Sequence, residues 1–317
     1  MNMLVLVLSS QLLYYLLIAQ TGVVGAFDSH LHDLYPLPIG GVIGSLLAAY
    51  WKHHEIRQEL YFMFGAQILI SWIYPNYSLG LLLVLGVIVG YTTPLMLHAF
   101  RGQSRKSLAV GLGISYAIGT ALYSYPFEER RMIAVVLPIV SLIALYFSLL
   151  SPKVIEHKTA LHWKMIGVMM VWIFADSALF ETLNRSGDMD IWSRFTLLII
   201  TSHLLGVYLA YRYSRPLMQS SIVILGLFAV SYGLYGWQQP LALAIIYPIA
   251  ISYYNVLVFR ELTQMRDVHS VGIAMVAVGW GAASLADIVA LEHQLWIAVA
   301  VLALFAVIYP FYFRRIG

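Results

Sequence analysis

Long apolar runs separated by short polar breaks make up most of the chain, and this pattern restricts its fold more than any other feature. Of its 317 residues, 61% are hydrophobic and 10% are charged, whereas a soluble domain carries about 25% charged residues. In lipid, a backbone satisfies its hydrogen bonds only as a helix or a closed barrel, and the short alternating segments of a barrel are not found in the sequence. The sequence therefore predicts an all-α integral membrane protein.

Twelve apolar segments can be counted along the chain, each close to the length that crosses a bilayer as a helix. The predicted segments are residues 3–26, 34–51, 59–75, 79–100, 107–125, 132–150, 161–183, 191–211, 217–236, 240–259, 270–291 and 295–313. Merging the hairpins at residues 75–77 and 237–239, where few polar residues force a break, would give ten spans instead.

The distribution of basic residues favours twelve spans with both termini in the cytoplasm. With the N-terminus inside, 14 of the 18 lysines and arginines fall on the cytoplasmic side, and Arg130, Arg131, Arg185 and Arg194 fall on the other. Cytoplasmic loops of membrane proteins carry such an excess. Removing one span would invert every later loop and destroy the asymmetry.

Twelve spans divide naturally into two sets of six, as in many transporters. We expect an N-terminal six-helix half at residues 1–150, a short cytoplasmic linker at 151–164, and a C-terminal six-helix half at 165–317. In each half, the second segment contains a glycine and ends in a basic loop. These candidates for conformational loops are Gly44, Lys52, Arg57, Gly206, Arg212 and Arg215.

This arrangement resembles the major facilitator superfamily, whose members have twelve helices in two halves and a glycine-plus-basic loop after the second and eighth helices. Gly206, Arg212 and Arg215 carry the resemblance best, together with the glycine-rich eleventh segment around Gly279 and Gly281. The aspartate that the family usually has in this loop is replaced by alanine in both halves. The resemblance implies a secondary active transporter that works by alternating access.

A second resemblance is to the compact ten-helix drug/metabolite transporters. It is carried by the chain length and by residues 248–262 and 271–280. This resemblance also implies a secondary transporter, so the two differ in the expected fold rather than in the expected class of function.

Four ionisable residues in or near the ends of apolar segments are candidates for proton coupling or substrate binding, since charges at membrane depth are costly. Asp176 lies well inside the seventh segment, and His203 in the eighth is its expected partner. Hydrogen bonds to neighbouring helices are the structural alternative for both. Glu181 and Asp287 lie nearer the outer ends of their segments, where we expect them at the water interface. Asp176 and Glu181 are separated by about 140° of helical rotation and do not share a face.

Aromatic and amide side chains deep within the segments are candidates to line a cavity that accepts an organic molecule. They are Tyr116, Tyr232, Tyr253, Tyr254 and Asn255. Asn255 can equally form a helix–helix hydrogen bond.

Two short patterns allow a metal as the cargo. The first is the cluster Asp28, His30, His32 and Asp33, whose nitrogen and oxygen atoms suit a divalent transition metal. The second is the thioether pair Met165 and Met169, spaced by one helical turn as in copper-handling transporters. A polar turn and ordinary core packing are the respective alternatives.

The predicted function is secondary active transport of a small solute, with a proton or another cation as the coupling ion. The alternatives are a transition-metal transporter, for example for copper, a membrane assembly factor, or a membrane enzyme. We expect no enzymatic activity, because no nucleotide-binding motif or catalytic dyad is found in the sequence. We expect no cofactor and no nucleic-acid partner, and a monomer in a lipid bilayer, in the bacterial inner membrane.

Overall fold

The structure of the chain is a computed structural model, and it describes residues 3–23, 34–148, 162–185, 189–213 and 215–313. Within these ranges the regular secondary structure is helical apart from a single bridge residue. The predicted all-α architecture is therefore confirmed for the part of the chain that is described.

Counting each continuous run of helix once, the described residues form twelve long helices. They are α1 (Met3–Val23), α2 (Pro36–Tyr50), α3 (Ile56–Ser71), α4 (Leu79–Ala99), α5 (Arg105–Tyr123), α6 (Arg131–Tyr146), α7 (Trp163–Arg185), α8 (Thr196–Arg212), α9 (Leu217–Gly236), α10 (Pro240–Thr263), α11 (Val268–Leu291) and α12 (Trp296–Phe313). Two of them contain π-helical turns, at Tyr15–Val23 in α1 and Val276–Ala282 in α11. Short helices also form at Phe127–Glu129 and Ile191–Arg194.

Six of the twelve are long and apolar enough, by length and composition, to cross a membrane: α1, α4, α7, α9, α10 and α11. The helices α2, α6, α8 and α12 are apolar over shorter lengths. The chain is thus an integral membrane protein, while the count of twelve spans and the cytoplasmic termini stay predictions.

The two hairpins whose breaks were least marked in the sequence are pairs of separate helices. The chain leaves α3 after Ser71 and begins α4 at Leu79, where the Ser78 hydroxyl accepts the Leu81 N–H and so caps the new helix. Similarly, α9 ends at Gly236 and α10 begins at Pro240, a residue suited to the first helical turn. Merging these segments into longer spans is not supported.

The chain groups into two compact units. The first contains Met1–Leu161 and Phe259–Val276, and the second contains His162–Val258 and Ala277–Gly317. The first unit thus includes a later segment, Phe259–Val276, and the expected six-helix halves stay a prediction. That segment joins the first unit because Gly272 lies against α2, where a Cβ atom would come within 2.7 Å of the Ser45 carbonyl oxygen.

In the first unit, glycines bring α2 and α4 into backbone contact. A Cβ atom on Gly44 would lie 2.2 Å from the Val87 carbonyl oxygen, and one on Gly90 would lie 2.2 Å from the Gly41 carbonyl oxygen. The Ser45 hydroxyl also donates to the Gly90 carbonyl at 3.1 Å. Small residues at helix crossings permit this approach within membranes.

Uncharged polar side chains join α1, α3 and α6 inside the first unit. The Gln11 amide donates to the Gln67 amide oxygen at 3.1 Å and to the Ser141 hydroxyl at 2.8 Å, and Ser10 bonds Ser141 at 2.7 Å. All four side chains are buried. Because buried polar groups destabilise a fold unless they are paired, this network specifies how the three helices meet.

The second unit has an aromatic core. Trp172 is fully buried, stacks on Phe228 with 6.1 Å between ring centroids, and meets Phe305 edge-on at 4.8 Å. Because these rings come from α7, α9 and α12, their contacts pack the three helices together. They also surround the middle of α7 with apolar side chains.

Candidate functional site

Asp176 lies near the middle of α7, and its carboxylate is held by two tyrosines of α10. The Tyr247 hydroxyl donates to Oδ1 at 2.8 Å, and the Tyr254 hydroxyl donates to Oδ2. Tyr247 and Tyr254 are seven residues apart, close to two helical turns, so they share one face of α10. Each carboxylate oxygen therefore has its own tyrosine partner.

Two backbone carbonyls of α7 also receive tyrosine hydroxyls at this level. Tyr247 Oη lies 3.0 Å from the Asp176 carbonyl oxygen, in addition to its contact with the carboxylate. Tyr232, from α9, donates to the Ala175 carbonyl at 2.7 Å. The three tyrosines thus bring α9 and α10 onto the same turn of α7.

Aromatic rings surround this turn and keep it apolar. Tyr254 packs on Phe228 at 5.6 Å between ring centroids, and Tyr247 packs on Trp192 at 6.2 Å. In the part of the chain that the structure describes, the side chains that donate hydrogen bonds to the Asp176 carboxylate are these two tyrosines. Asp176 itself is partly buried. A partly desolvated carboxylate is less favourable as a charge than one in water, so the site is suited to taking up a proton or a small cation.

His203 is buried in α8, and its Nδ1 atom lies 2.6 Å from the Ser252 hydroxyl of α10. Ser252 is about 140° around α10 from Tyr247, so the hydrogen bonds described for His203 and Asp176 reach different sides of that helix. The hydrogen bond given above as the structural alternative for His203 is present, and a role in coupling stays a prediction.

Glu181 is buried among neighbouring side chains, while its expected position at the water interface stays a prediction. Only 2% of its surface is accessible, and Arg185, one turn further along α7, approaches its carboxylate at 3.8 Å. Asp287, on α11, interacts electrostatically with both residues. The end of α11 packs on α7, and this contact joins parts of the chain about one hundred positions apart.

The predicted cavity-lining residues differ in their surroundings. Tyr232, Tyr253 and Tyr254 are buried, whereas Tyr116 and Asn255 are partly exposed. Two of these tyrosines belong to the Asp176 site, and a cavity lined by the set stays a prediction. Tyr247 was missed by sequence reasoning, although its seven-residue spacing from Tyr254 was visible.

The conformational-loop candidates include two glycines at helix crossings. Gly44 contacts α4 as described above, and Gly206 contacts α10, where a Cβ atom would lie 2.7 Å from the Ile249 carbonyl oxygen. Arg57 donates to the Tyr146 carbonyl at the end of α6, at 2.8 Å.

The remaining members of that set are exposed at helix ends. Arg212 lies over the Tyr213 ring at 5.7 Å, and Lys52 and Arg215 are exposed. Their roles in conformational change stay predictions.

The metal candidates receive no support from the described structure. Asp28, His30, His32 and Asp33 lie outside the described residues. Met169 is fully buried and Met165 partly buried in α7, as expected for either role. Within the described ranges, no three His, Asp or Glu side chains are grouped so that they could hold a metal ion.

Comparison with known proteins gives matches of fold but none of sequence. No protein family and no curated protein sequence shows a significant match. Among solved structures, the human organic anion transporter MFSD10 (TETRAN) is similar with a TM-score of 0.68 and 14% identity, over 98% of this chain and 96% of that one.

Two further structures are similar over nearly their full lengths. The major facilitator superfamily proton:xylose symporter XylE gives a TM-score of 0.63 at 14% identity, over 98% of this chain and 94% of that one. A bacterial homologue of the iron transporter ferroportin gives 0.61 at 13% identity, over 97% and 96%. The chain therefore has the fold of major facilitator superfamily transporters, as its loops predicted.

Proposed function

We propose that this protein is a secondary active transporter of a small solute, and that Asp176 carries the coupling proton. The observation that carries the proposal is the partly buried Asp176 carboxylate, held by two tyrosine hydroxyls in the middle of an apolar helix. The fold supports the transporter part, because the similar solved structures are transporters.

Charge balance favours a proton as the coupling ion. Among the described residues, the hydrogen-bond partners of the partly buried Asp176 carboxylate are two hydroxyls. A partly desolvated carboxylate with such partners and no cationic one is more stable once it binds a positive charge. A proton requires only one oxygen atom, whereas a metal cation requires several oxygen ligands around it. A tyrosine hydroxyl can donate to the ionised carboxylate or accept a hydrogen bond from the protonated one, so it can remain a partner when the carboxylate takes up a proton.

The cargo is a small solute whose class the fold does not decide. The similar structures are named as transporters of an organic anion and of xylose and as a homologue of an iron transporter. We place the chain in the bacterial inner membrane as a monomer, with twelve spans and cytoplasmic termini. It works by alternating access, with no resident cofactor.

The test uses purified protein in proteoliposomes that contain a pH-sensitive dye. A panel of sugars, organic anions and iron salts is added outside under an imposed pH gradient, and solute-dependent proton movement is recorded. We expect one class of solute to move protons with the parent protein. The Asp176→Asn variant is expected to lose that proton movement.

A matched control is Asp190→Asn, because Asp190 caps the short helix Ile191–Arg194 and asparagine caps helices equally well. This variant should retain proton movement. Equal proton movement in Asp176→Asn and the parent would remove Asp176 from the mechanism, and no response to any solute would count against proton-coupled transport of these classes.

A further inference from the structure

The Tyr247 hydroxyl faces two acceptors on the same residue. Its oxygen lies 2.8 Å from Asp176 Oδ1 and 3.0 Å from the Asp176 backbone carbonyl oxygen. A tyrosine hydroxyl has a single hydrogen, and its oxygen can also accept. Tyr247 can therefore donate fully to only one of these two atoms at a time.

The two acceptors correspond to the two protonation states of Asp176. When the carboxylate is ionised, Tyr247 donates to Oδ1 and Tyr254 donates to Oδ2. When Oδ1 carries a proton, Oδ1–H donates to Tyr247 Oη, and the Tyr247 hydrogen turns toward the backbone carbonyl. Every hydrogen of the site then has an acceptor in both states, with no displacement of heavy atoms. A buried donor or acceptor left unpaired is destabilising, so an exchange that keeps every group paired favours both protonation states.

The other titratable groups around Asp176 have different partners among the contacts that the structure describes. From α9, Tyr232 donates to the Ala175 carbonyl and to no carboxylate oxygen that the structure describes. From α10, Tyr254 bonds Oδ2. From α11, Asp287 interacts with Glu181 and Arg185 further along α7.

We propose that Tyr247 is the positioning residue that lets Asp176 gain and lose its proton inside the apolar core of the second unit. This inference rests on the proposed function, in which Asp176 carries the coupling proton. The proton that binds Oδ1 comes from water and returns to water. Tyr247 stays neutral throughout, because its hydrogen only rotates about the Cζ–Oη bond.

The test is infrared difference spectroscopy of the purified full-length protein between high and low pH, with the proton itself as the probe. The seven aspartates are labelled with ¹³C at the main-chain carbonyl. Asp176→Asn identifies the carboxylic C=O band of Asp176. On protonation, the labelled Asp176 carbonyl should gain a hydrogen bond, and its amide I band should shift to lower frequency in the parent.

Three tyrosine variants separate this role from a general structural one. Tyr247→Phe should lose the shift of the labelled carbonyl. Tyr254→Phe should retain it, while its carboxylic C=O band moves to higher frequency because Oδ2 has lost its donor. Tyr232→Phe should behave as the parent, since the hydrogen bond described for its hydroxyl is to the Ala175 carbonyl and not to the carboxylate.

Absence of the carbonyl shift in the parent, or its persistence in Tyr247→Phe, overturns the assignment of Tyr247. If Tyr247→Phe does not fold, the presence or absence of the carbonyl shift in the parent spectrum decides the role of Tyr247. A carboxylic band that survives in Asp176→Asn would overturn the proton site itself, and with it this inference. If Asp176→Asn loses the carboxylic band but the parent shows no shift of the labelled carbonyl, the proton site stands and only the role of Tyr247 is overturned.

Discussion

Gly44→Ala should loosen the crossing of α2 and α4, because the new methyl group has no room. Its carbon would lie 2.2 Å from the Val87 carbonyl oxygen and 2.8 Å from the Tyr91 nitrogen, and both are backbone atoms that no rotamer change can move. Ordinary contact begins at 3.4 Å, so the helices must separate by the difference between 3.4 and 2.2 Å, about 1.2 Å.

The expected loss of stability is about 2 kcal/mol. Overpacking of this kind costs roughly 1–3 kcal/mol. Separation also breaks the hydrogen bond from Ser45 to the Gly90 carbonyl, which contributes about 1 kcal/mol. Against these, alanine is favoured over glycine within a helix by about 1 kcal/mol.

Gly65→Ala in α3 is the matched control, since no atom lies within 4 Å of a Cβ atom placed there. It should be neutral or stabilising by up to about 1 kcal/mol. Thermal unfolding in detergent, followed by the fluorescence of the eight tryptophans, compares the two variants. The reasoning is refuted if Gly44→Ala melts at or above the temperature of Gly65→Ala.

Three further predictions concern helix ends and a second crossing. Asp267→Ala should destabilise α11 by about 1 kcal/mol near pH 7, because Asp267 caps that helix through the Ser270 N–H. Burial acts to raise the pKa of Asp267, but its hydrogen bonds with Ser270 outweigh this and hold that pKa below its usual range. The contribution of a group with a lowered pKa is present above its unfolded pKa and lost as the pH falls through the folded one, so parent and variant should converge in melting temperature at low pH. Gly206→Ala should lower the melting temperature relative to Gly226→Ala, whose Cβ atom would meet nothing within 4 Å; equal melting would contradict this. Arg57→Gln should cost about 1 kcal/mol, since the guanidinium pairs with carbonyls at the end of α6, and an unchanged melting curve would count against that pairing.

Helices and their breaks could be predicted from the sequence because both follow from local properties. Apolar runs in lipid form helices whatever lies next to them. Breaks follow from caps and prolines that are visible locally, such as Ser78 before α4 and Pro240 at the start of α10. The similarity to major facilitator superfamily structures could also be predicted, since glycines and basic loops recur at matching places in the chain.

The surroundings of the acids could not be predicted in the same way. Asp176 was found because an acid in an apolar run is conspicuous, but its partners come from α10, about seventy residues later. The packing of α11 on α7 likewise leaves no local pattern in the sequence. Tyr247 was overlooked because one tyrosine among 22 carries no distinguishing signal until its neighbours are known.

Arg130 shows the same limitation for charges. Counting residues placed it in an outer loop, as one of the four arginines on that side. In the structure it is buried, and its guanidinium donates to the Leu17 carbonyl at 2.9 Å, in the π-helical part of α1, and to the Tyr123 carbonyl at 2.6 Å, at the end of α5. The distribution of charges predicts on which side of the membrane each loop lies, whereas the contacts of each charged side chain depend on which helices meet around it.

The central claim is that Asp176 couples solute movement to a proton gradient. The most direct measurement is accumulation, in proteoliposomes with an imposed pH gradient, of the first solute that moves protons in the screen. The account predicts that the parent concentrates the solute above its external level, and that Asp176→Asn only equilibrates it. Accumulation by Asp176→Asn to the level of the parent would contradict the account.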